Sequence, residues 1–291
     1  MGQVNPPRPR RLCYKPPAGG GNALQFQREC RAPSARLFAR ILPGSYNDRM
    51  RITPLAFALA LAATGLYAAE EFSTSAGSVK ITPIKHASLM IEAGGKVIQV
   101  DPWSQGTEAR YATMPKADLI LITHFHSDHM DSHAIAWVKK PGTKIIAPEV
   151  VTSSLKAGSV IRNGETQTWE GWTIEAVPMY NFTPGRGPAP GKFYHDKGRG
   201  NGYVLTYGGK RFYISGDTEA TPEMKALQNI DVAFVCMNLP YTMTPEEAAA
   251  GVRAFAPKIV YPYHYRESNL KAFEDGLKDS GVEVRIRNWY E

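Results

Sequence analysis

The run Asp118-Leu119-Ile120-Leu121-Ile122 passes directly into Thr123-His124-Phe125-His126-Ser127-Asp128-His129, and this junction constrains the chain more than any other stretch. Four consecutive aliphatic residues rich in branched side chains read as a buried strand. Such a strand delivers whatever follows it to a loop at its C-terminal end, where α/β sheets place their chemistry. Here it delivers three of the chain's seven histidines and an aspartate within six positions. Isolated histidines are mostly packing or surface residues, but this density is not explained that way. Neutral imidazole and ionised carboxylate are first-choice ligands for zinc and its neighbours. In a turning segment, His124 and His126 can face one metal while Asp128 and His129 turn toward a second.

The spacing His-x-His-x-Asp-His after an apolar strand resembles the metallo-β-lactamase-fold hydrolase superfamily. Other segments carry the resemblance in the same order. Ile84 to Glu92 and Val97 to Pro102 look like the fold's first hairpin with its Asp101-Pro102 turn. Arg211 to Thr218 resembles its strand ending in Gly-Asp-Thr, and Lys258 to Tyr265 its late strand ending in a ligand histidine. The match runs from about Val79 to the C-terminus. Within the superfamily it looks most like the group that includes ascorbate-phosphate lactonase-like and phospholipase D-like hydrolases.

Read without the resemblance, residues 70–291 form one layered domain of strands with a few covering helices. Strands are predicted at 79–84, 88–93, 96–100, 118–122, 144–147, 172–178, 202–207, 210–215, 231–235, 257–262 and 282–286. Helices are predicted at 132–139, 222–228, 245–256 and 268–279, the last two from the spacing of Ala248, Val252 and Phe255, then Leu270, Phe273 and Leu277. Pro245 is placed to open one of them and Ser268 to cap the other. The resemblance sharpens this to an α+β, four-layer αββα sandwich.

Two metals need more ligands than the cluster supplies. Asp217 leaves an alternating strand through Gly216, and alone it would read as a turn residue. The resemblance makes it the carboxylate bridging both metals. His264, after an apolar strand, reads alone as a half-buried histidine and by resemblance as a ligand of the second metal. Many relatives place a histidine directly after the strand corresponding to Trp172–Pro178, but here Met179-Tyr180-Asn181 follows. His195 is the next candidate, because amides are poor zinc ligands beside imidazole; Asn181 remains the alternative. His86 reads as a packed histidine of the first hairpin or as a substrate contact, the former leading. His133, one helical turn after His129, reads as a surface residue or as one supporting the ligands.

The implied centre gives His124, His126 and His195 to one divalent ion, Asp128, His129 and His264 to another, and Asp217 to both. Zinc is the expected metal, with iron or manganese suited to the same donors. Paired cations about 3.5–4 Å apart bring the pKa of a shared water toward neutrality. The expected reaction is therefore hydrolysis of an ester, lactone or phosphodiester of a small molecule or lipid, with Asp128 orienting the nucleophile. Two alternatives are thiol or persulfide oxidation on one iron and a silent metal-binding protein. The complete second set, Asp128, His129 and His264, argues against the first, and the regularity of every ligand position outside the Asn181/His195 region argues against the second. A lid is expected from the Gly/Pro-rich loop Phe182 to Lys192. Arg186, Lys192 and Arg199 read as contacts to an anionic substrate or equally as solvated charges, and Tyr241 to Met243 as pocket lining or packing.

Residues 1–49 differ from the rest. They hold nine basic against two acidic side chains, which accounts for the whole chain's formal charge of +7 and leaves residues 50–291 balanced. The basic character thus belongs to an extension expected to be disordered, and no nucleic-acid partner is implied for the domain. Residues 50–69, from Met50-Arg51 through an Ala/Leu-rich core to Ala68-Ala69, have the pattern of a signal peptide too short to span a membrane. Export is expected, with residues 1–49 preceding the true start; an organellar transit peptide around Ser34 to Leu42 is the alternative. Of three cysteines only Cys236 would remain, in an apolar strand, as a packed thiol.

Overall fold

The structure, a computed structural model, describes residues 69–290. The basic extension, and all but the last residue of the expected signal segment, lie outside the described residues. Strands β1 (Glu70–Thr74), β2 (Gly77–Lys85), β3 (Ser88–Ala93), β4 (Lys96–Val100), β5 (Leu119–Leu121), β6 (Lys144–Ala147) and β7 (Ser159–Val160) lie side by side in chain order. A second sheet repeats the arrangement with β8 (Thr166–Trp169), β9 (Trp172–Pro178), β10 (Asn201–Tyr207), β11 (Lys210–Ile214), β12 (Val232–Cys236), β13 (Ile259–Tyr263) and β14 (Glu283–Val284).

Both sheets follow one plan. Their first four strands are antiparallel, and from the fourth onward they run parallel. Each parallel step needs a crossover connection. Helices α1 (Glu108–Thr113), α2 (Ser132–Val138) and α3 (Glu149–Leu155) supply it in the first half. In the second half α4 (Pro222–Lys225), α5 (Pro245–Phe255) and α6 (Leu270–Gly276) do the same. The sequence shows no short-period repeat, yet the two halves share this topology.

Side-chain alternation along the strands builds the layers. In β5, Leu119 and Leu121 enter the core shared with the second sheet, while Ile120 and the following Ile122 enter a separate core beneath α1 and α2. In β11, Phe212 meets Phe72 of β1 between the sheets, and the next residue, Tyr213, meets Phe255 of α5 outside, both with ring centroids 5.7 Å apart. The αββα sandwich expected from the resemblance is what forms.

Thr244 caps α5 in a capping box with Glu247, and Pro245 stands at its first turn as expected. Ser268 does not cap α6. That helix starts later, and Asn269 accepts from the Ala272 N–H while the Ser268 hydroxyl donates to Met237 O. The strands β1, β7 and β8 and the helices α1 and α3 were not anticipated from the sequence. In β1 only Phe72 is buried, so no alternation marks it, and α3 contains Val150, Val151 and Thr152, poor helix formers. Cys236 is a buried free thiol, and burial pushes its pKa up to about 12. Among the described residues no helix is long and apolar enough to cross a membrane.

Candidate metal centre

The parallel strands of both sheets end on one side of the sandwich, and their following loops carry the site. Asp101 follows β4, the histidine cluster follows β5, Asp217 follows β11, Asn238 follows β12 and His264 follows β13. His86 joins from the β2–β3 turn and His195 from the β9–β10 connection. At Gly216 φ is +62°, and a Cβ there would lie 2.6 Å from Met179 Sδ, so only glycine lets the chain turn before Asp217.

Asp101 organises the first loop. Its carboxylate accepts from Thr123 N at 2.7 Å, Thr123 Oγ1 at 2.6 Å and His129 Nδ1 at 2.8 Å. The last bond leaves Nε2 of His129 aimed at Asp217, in the manner of a carboxylate orienting a metal-binding imidazole. Thr123 spends its hydroxyl proton on Asp101, so His124 Nδ1, 3.0 Å away, donates to it. Nε2 of His124 is then free and lies 3.1 Å from Nδ1 of His126.

Asp217 stands between two groups of nitrogens. Its Oδ1 is 3.5 Å from His129 Nε2, and its Oδ2 is 3.5 Å from both His195 Nε2 and His264 Nε2. Asp128 Oδ2 lies 2.9 Å from His86 Nε2, 3.6 Å from His264 Nε2 and 4.0 Å from His129 Nε2. Three sets of residues bring donor atoms close enough to hold a cation: His124, His126 and His195; His86, Asp128, His129 and His264; and His124, His129 and Asp217. Every expected ligand residue is in this one cluster.

Four of its atoms, His129 Nε2, His195 Nε2, His264 Nε2 and Asp217 Oδ1, are buried without a hydrogen-bond partner. Buried polar atoms normally find partners. Orphans converging on one spot are what a cation-binding donor set looks like with its ion left out, and imidazole with carboxylate suits a divalent metal.

The electrostatics agree. Burial pushes His124 well below the ordinary imidazole range and His126 below it, and takes His86 and His195 down to about 4. For His129 burial acts in the same direction, but Asp217, Asp101 and Asp128 outweigh it and raise the ring well above its usual value. Burial opposes ionisation of Asp128 and Asp217, yet the surrounding imidazoles hold both well below the carboxylate range. The ionised carboxylates and the rings of His86, His124, His126 and His195 are thus in the form that binds metal, while His129 would release its proton on binding.

The structure also decides the role of Asn181. Its Oδ1 accepts from His195 N at 3.0 Å and from His195 Nδ1 at 2.9 Å, while its Nδ2 donates to Tyr241 O at 3.0 Å. Asn181 orients His195 and has no side-chain atom left for the cluster. His86 was the residue most undervalued from sequence. It is buried, bonds Asp128, reaches Tyr290 Oη at 3.2 Å and packs on His264 with centroids 3.7 Å apart. Its φ of +60° is shared in kind by Asp101 (+43°), His264 (+49°) and Arg266 (+42°), so four of the nine left-handed non-glycine residues described surround this site. Such backbone costs about 1–3 kcal/mol each and persists where surroundings impose it. His133 is on the surface, as expected.

A cavity of about 460 Å³ opens over the cluster, walled beyond it by Trp103, Gln105, Tyr194, Asn238, Tyr241 and Arg266. The Phe182 to Lys192 loop does not line it. Arg186, read as a substrate contact or a solvated charge, is neither: it is buried between Glu219 and Glu247 at 2.9 and 2.5 Å and ties the loop down. Arg199 sits over the Phe125 ring and Lys192 is exposed. Of the three residues Tyr241 to Met243, Tyr241 lines the cavity, while Thr242 and Met243 are buried.

A four-layer sandwich with a histidine and aspartate cluster across the ends of both sheets defines a metallo-β-lactamase-type domain. Residues 80–264 match the β-lactamase superfamily domain, and the chain belongs to that superfamily. The UPF0173 metal-dependent hydrolase of Anaeromyxobacter sp. (strain K) is 33% identical over 250 residues, spanning 77% of this chain and 88% of that protein. A crystal structure from Parabacteroides distasonis, named as a metal-dependent hydrolase, is 49% identical, with a TM-score of 0.72 over 77% of this chain and all of that one. Igni18, a metallo hydrolase of the archaeon Ignicoccus hospitalis, is 26% identical with a TM-score of 0.62, over 73% of this chain and 96% of its own. The protein is a metal-dependent hydrolase of this superfamily.

Proposed function

We propose that the cluster holds two divalent metal ions and hydrolyses an ester, lactone or phosphodiester of a small molecule or lipid. His124, His126 and His195 would hold one ion and Asp128, His129 and His264 the other, with Asp217 shared. The observation that carries this reading is the position of Asp217, with one oxygen facing His129 and the other facing His195 and His264, among four buried atoms that lack partners. Zinc is the favoured metal, with iron or manganese fitting the same donors. Such ions, when bound, supply Lewis acidity and make water nucleophilic near neutral pH.

The chain's own groups do the rest. Asp128 is 25% exposed in its side chain against 5% for Asp217, so Asp128 is the carboxylate that a water in the cavity reaches. It can accept a hydrogen bond from that water and fix its direction, while His86 holds its Oδ2. Trp103 and Tyr241 give the cavity flat apolar walls, and Asn238, beside His264 Nδ1 at 3.3 Å, keeps that ring in place. Elemental analysis of the purified protein beside His264→Ala tests the reading. About two metal equivalents falling to about one supports it; a single iron unaffected by the substitution would move the assignment to oxidation chemistry, and no bound metal would refute it.

A further inference from the structure

Arg266 follows the ligand-bearing end of β13 by three residues and is held in an unusual way. Its φ is +42°, a conformation side chains rarely adopt, and its N–H donates to Tyr290 Oη at 2.9 Å. Its guanidinium lies over the Tyr241 ring, 5.6 Å from the centroid. Seven of the other eight arginines described spend guanidinium protons on oxygens, and Arg199, over the Phe125 ring, has Asp196 Oδ2 at 3.7 Å. Arg186, Arg211, Arg285 and Arg287 meet carboxylates, and Arg110 and Arg253 meet backbone carbonyls. Among the described residues Arg266 is the arginine whose guanidinium meets no oxygen at all, although Glu267 is its neighbour in the chain.

Glu246 and Glu267 line the clefts beside Arg266, yet among the described residues no carboxylate is paired with its guanidinium. Among the described residues, the carboxylates lining the cavity over the cluster are Asp128 and Asp217, both already committed to the imidazoles. Arg266 also lines the two adjoining clefts, of about 590 and 420 Å³, and so stands where all three spaces meet. A left-handed backbone that presents a planar donor fork, a ring beneath it and no acceptor paired with it make a receptor for an anion.

We propose that Arg266, stacked on Tyr241, binds an anionic oxygen group of the substrate, a carboxylate or phosphate set apart from the bond that is cleaved. The hydrolase is thereby selective for anionic over neutral substrates. This rests on the two-metal reading, with the metals holding one end of the substrate and Arg266 the other. Arg266 is a specificity residue and takes no part in the bond cleavage.

Two probes separate the ends: acetohydroxamate, which can bind only through the metals, and succinic acid monohydroxamate, which adds a distal carboxylate. Calorimetric titration of the metal-loaded protein should show the carboxylated probe binding about tenfold tighter or more. Arg266→Met should bring the two affinities together while acetohydroxamate binding and metal content stay unchanged. Arg266→Lys should keep part of the preference, having the charge without the fork. A wild-type protein with no preference, or a preference surviving in Arg266→Met, overturns the subsite with the metal centre intact. Failure of both probes to bind overturns the two-metal reading and the subsite with it.

Discussion

Asn181 Oδ1 accepts from both the backbone N–H and the ring Nδ1 of His195, and this pair of bonds determines which nitrogen of His195 faces Asp217. The amide is itself locked, because its Nδ2 donates to Tyr241 O. Removing it frees the ring to rotate and to exchange tautomers. Asn181→Ala is therefore expected to weaken metal binding at the His124, His126 and His195 group by about 10–100-fold, the usual cost of losing a partner that orients a ligand. Chelator competition measures this directly. An affinity unchanged from wild type would mean that packing alone orients His195.

His86 should act on the other group. Its Nε2 holds Asp128 and its ring packs against His264, so both residues lose support in His86→Ala. The expected result is loss of one metal step in a two-step chelator titration, with the step assigned to His124, His126 and His195 unmoved. Hydrolysis should fall with it, by about 100-fold or more if Asp128 orients the nucleophile. Two intact metal steps alongside normal activity would return His86 to a packing role.

The histidine cluster could be recognised from sequence because it leaves a run of consecutive aliphatic residues, whereas Asp217 and His264 gained their ligand roles only through the family resemblance. His86 and Asn181 could not be weighed in the same way. Both act through partners distant in sequence, Asp128 and His195, and only the fold brings them together. Arg266 is not marked in the sequence for a related reason: what sets it apart is a guanidinium left unpaired among the described residues, which a sequence does not display. Arg186 shows the opposite error. A basic residue in a Gly/Pro loop looks free until the fold places Glu219 and Glu247 beside it. The short strands β7 and β8 escaped notice because two to four residues carry too little pattern, and they exist by pairing with longer neighbours.

Arg186 supplies a test of stability separate from chemistry. In Arg186→Met the Glu219 carboxylate stays buried, still accepting from Phe182 N, Thr183 N and Thr183 Oγ1 but without its cation. Breaking one side of a buried pair costs about 3 kcal/mol. Chemical denaturation should report a loss of that order, with metal content unchanged. A loss below about 1 kcal/mol would indicate that the three remaining bonds suffice for Glu219, as for a surface pair.

The pH dependence of stability can be tested far from the metal centre, at Asp231. Burial opposes its ionisation, but Lys258 Nζ at 2.7 Å, Arg211 N at 2.9 Å and Lys210 Nζ at 3.7 Å together bring its pKa below the ordinary carboxylate value. In the unfolded chain that value returns to about 3.9. A depressed folded pKa means that the unfolded state takes up the proton first on acidification. The stabilisation is thus fully present above about pH 5 and is lost as the pH falls through 3.9 toward the folded value. Asp231→Asn keeps the shape and can still accept from Arg211 N, but it cannot be ionised. The stability gap between wild type and Asp231→Asn should be about 2 kcal/mol and flat from roughly pH 5 to 8, then close as the pH drops below 4. Urea titrations at a series of pH values measure it on metal-free protein, which removes proton competition at the histidines. A gap that stays constant through pH 3 would show that Asp231 contributes through its shape and not through its charge.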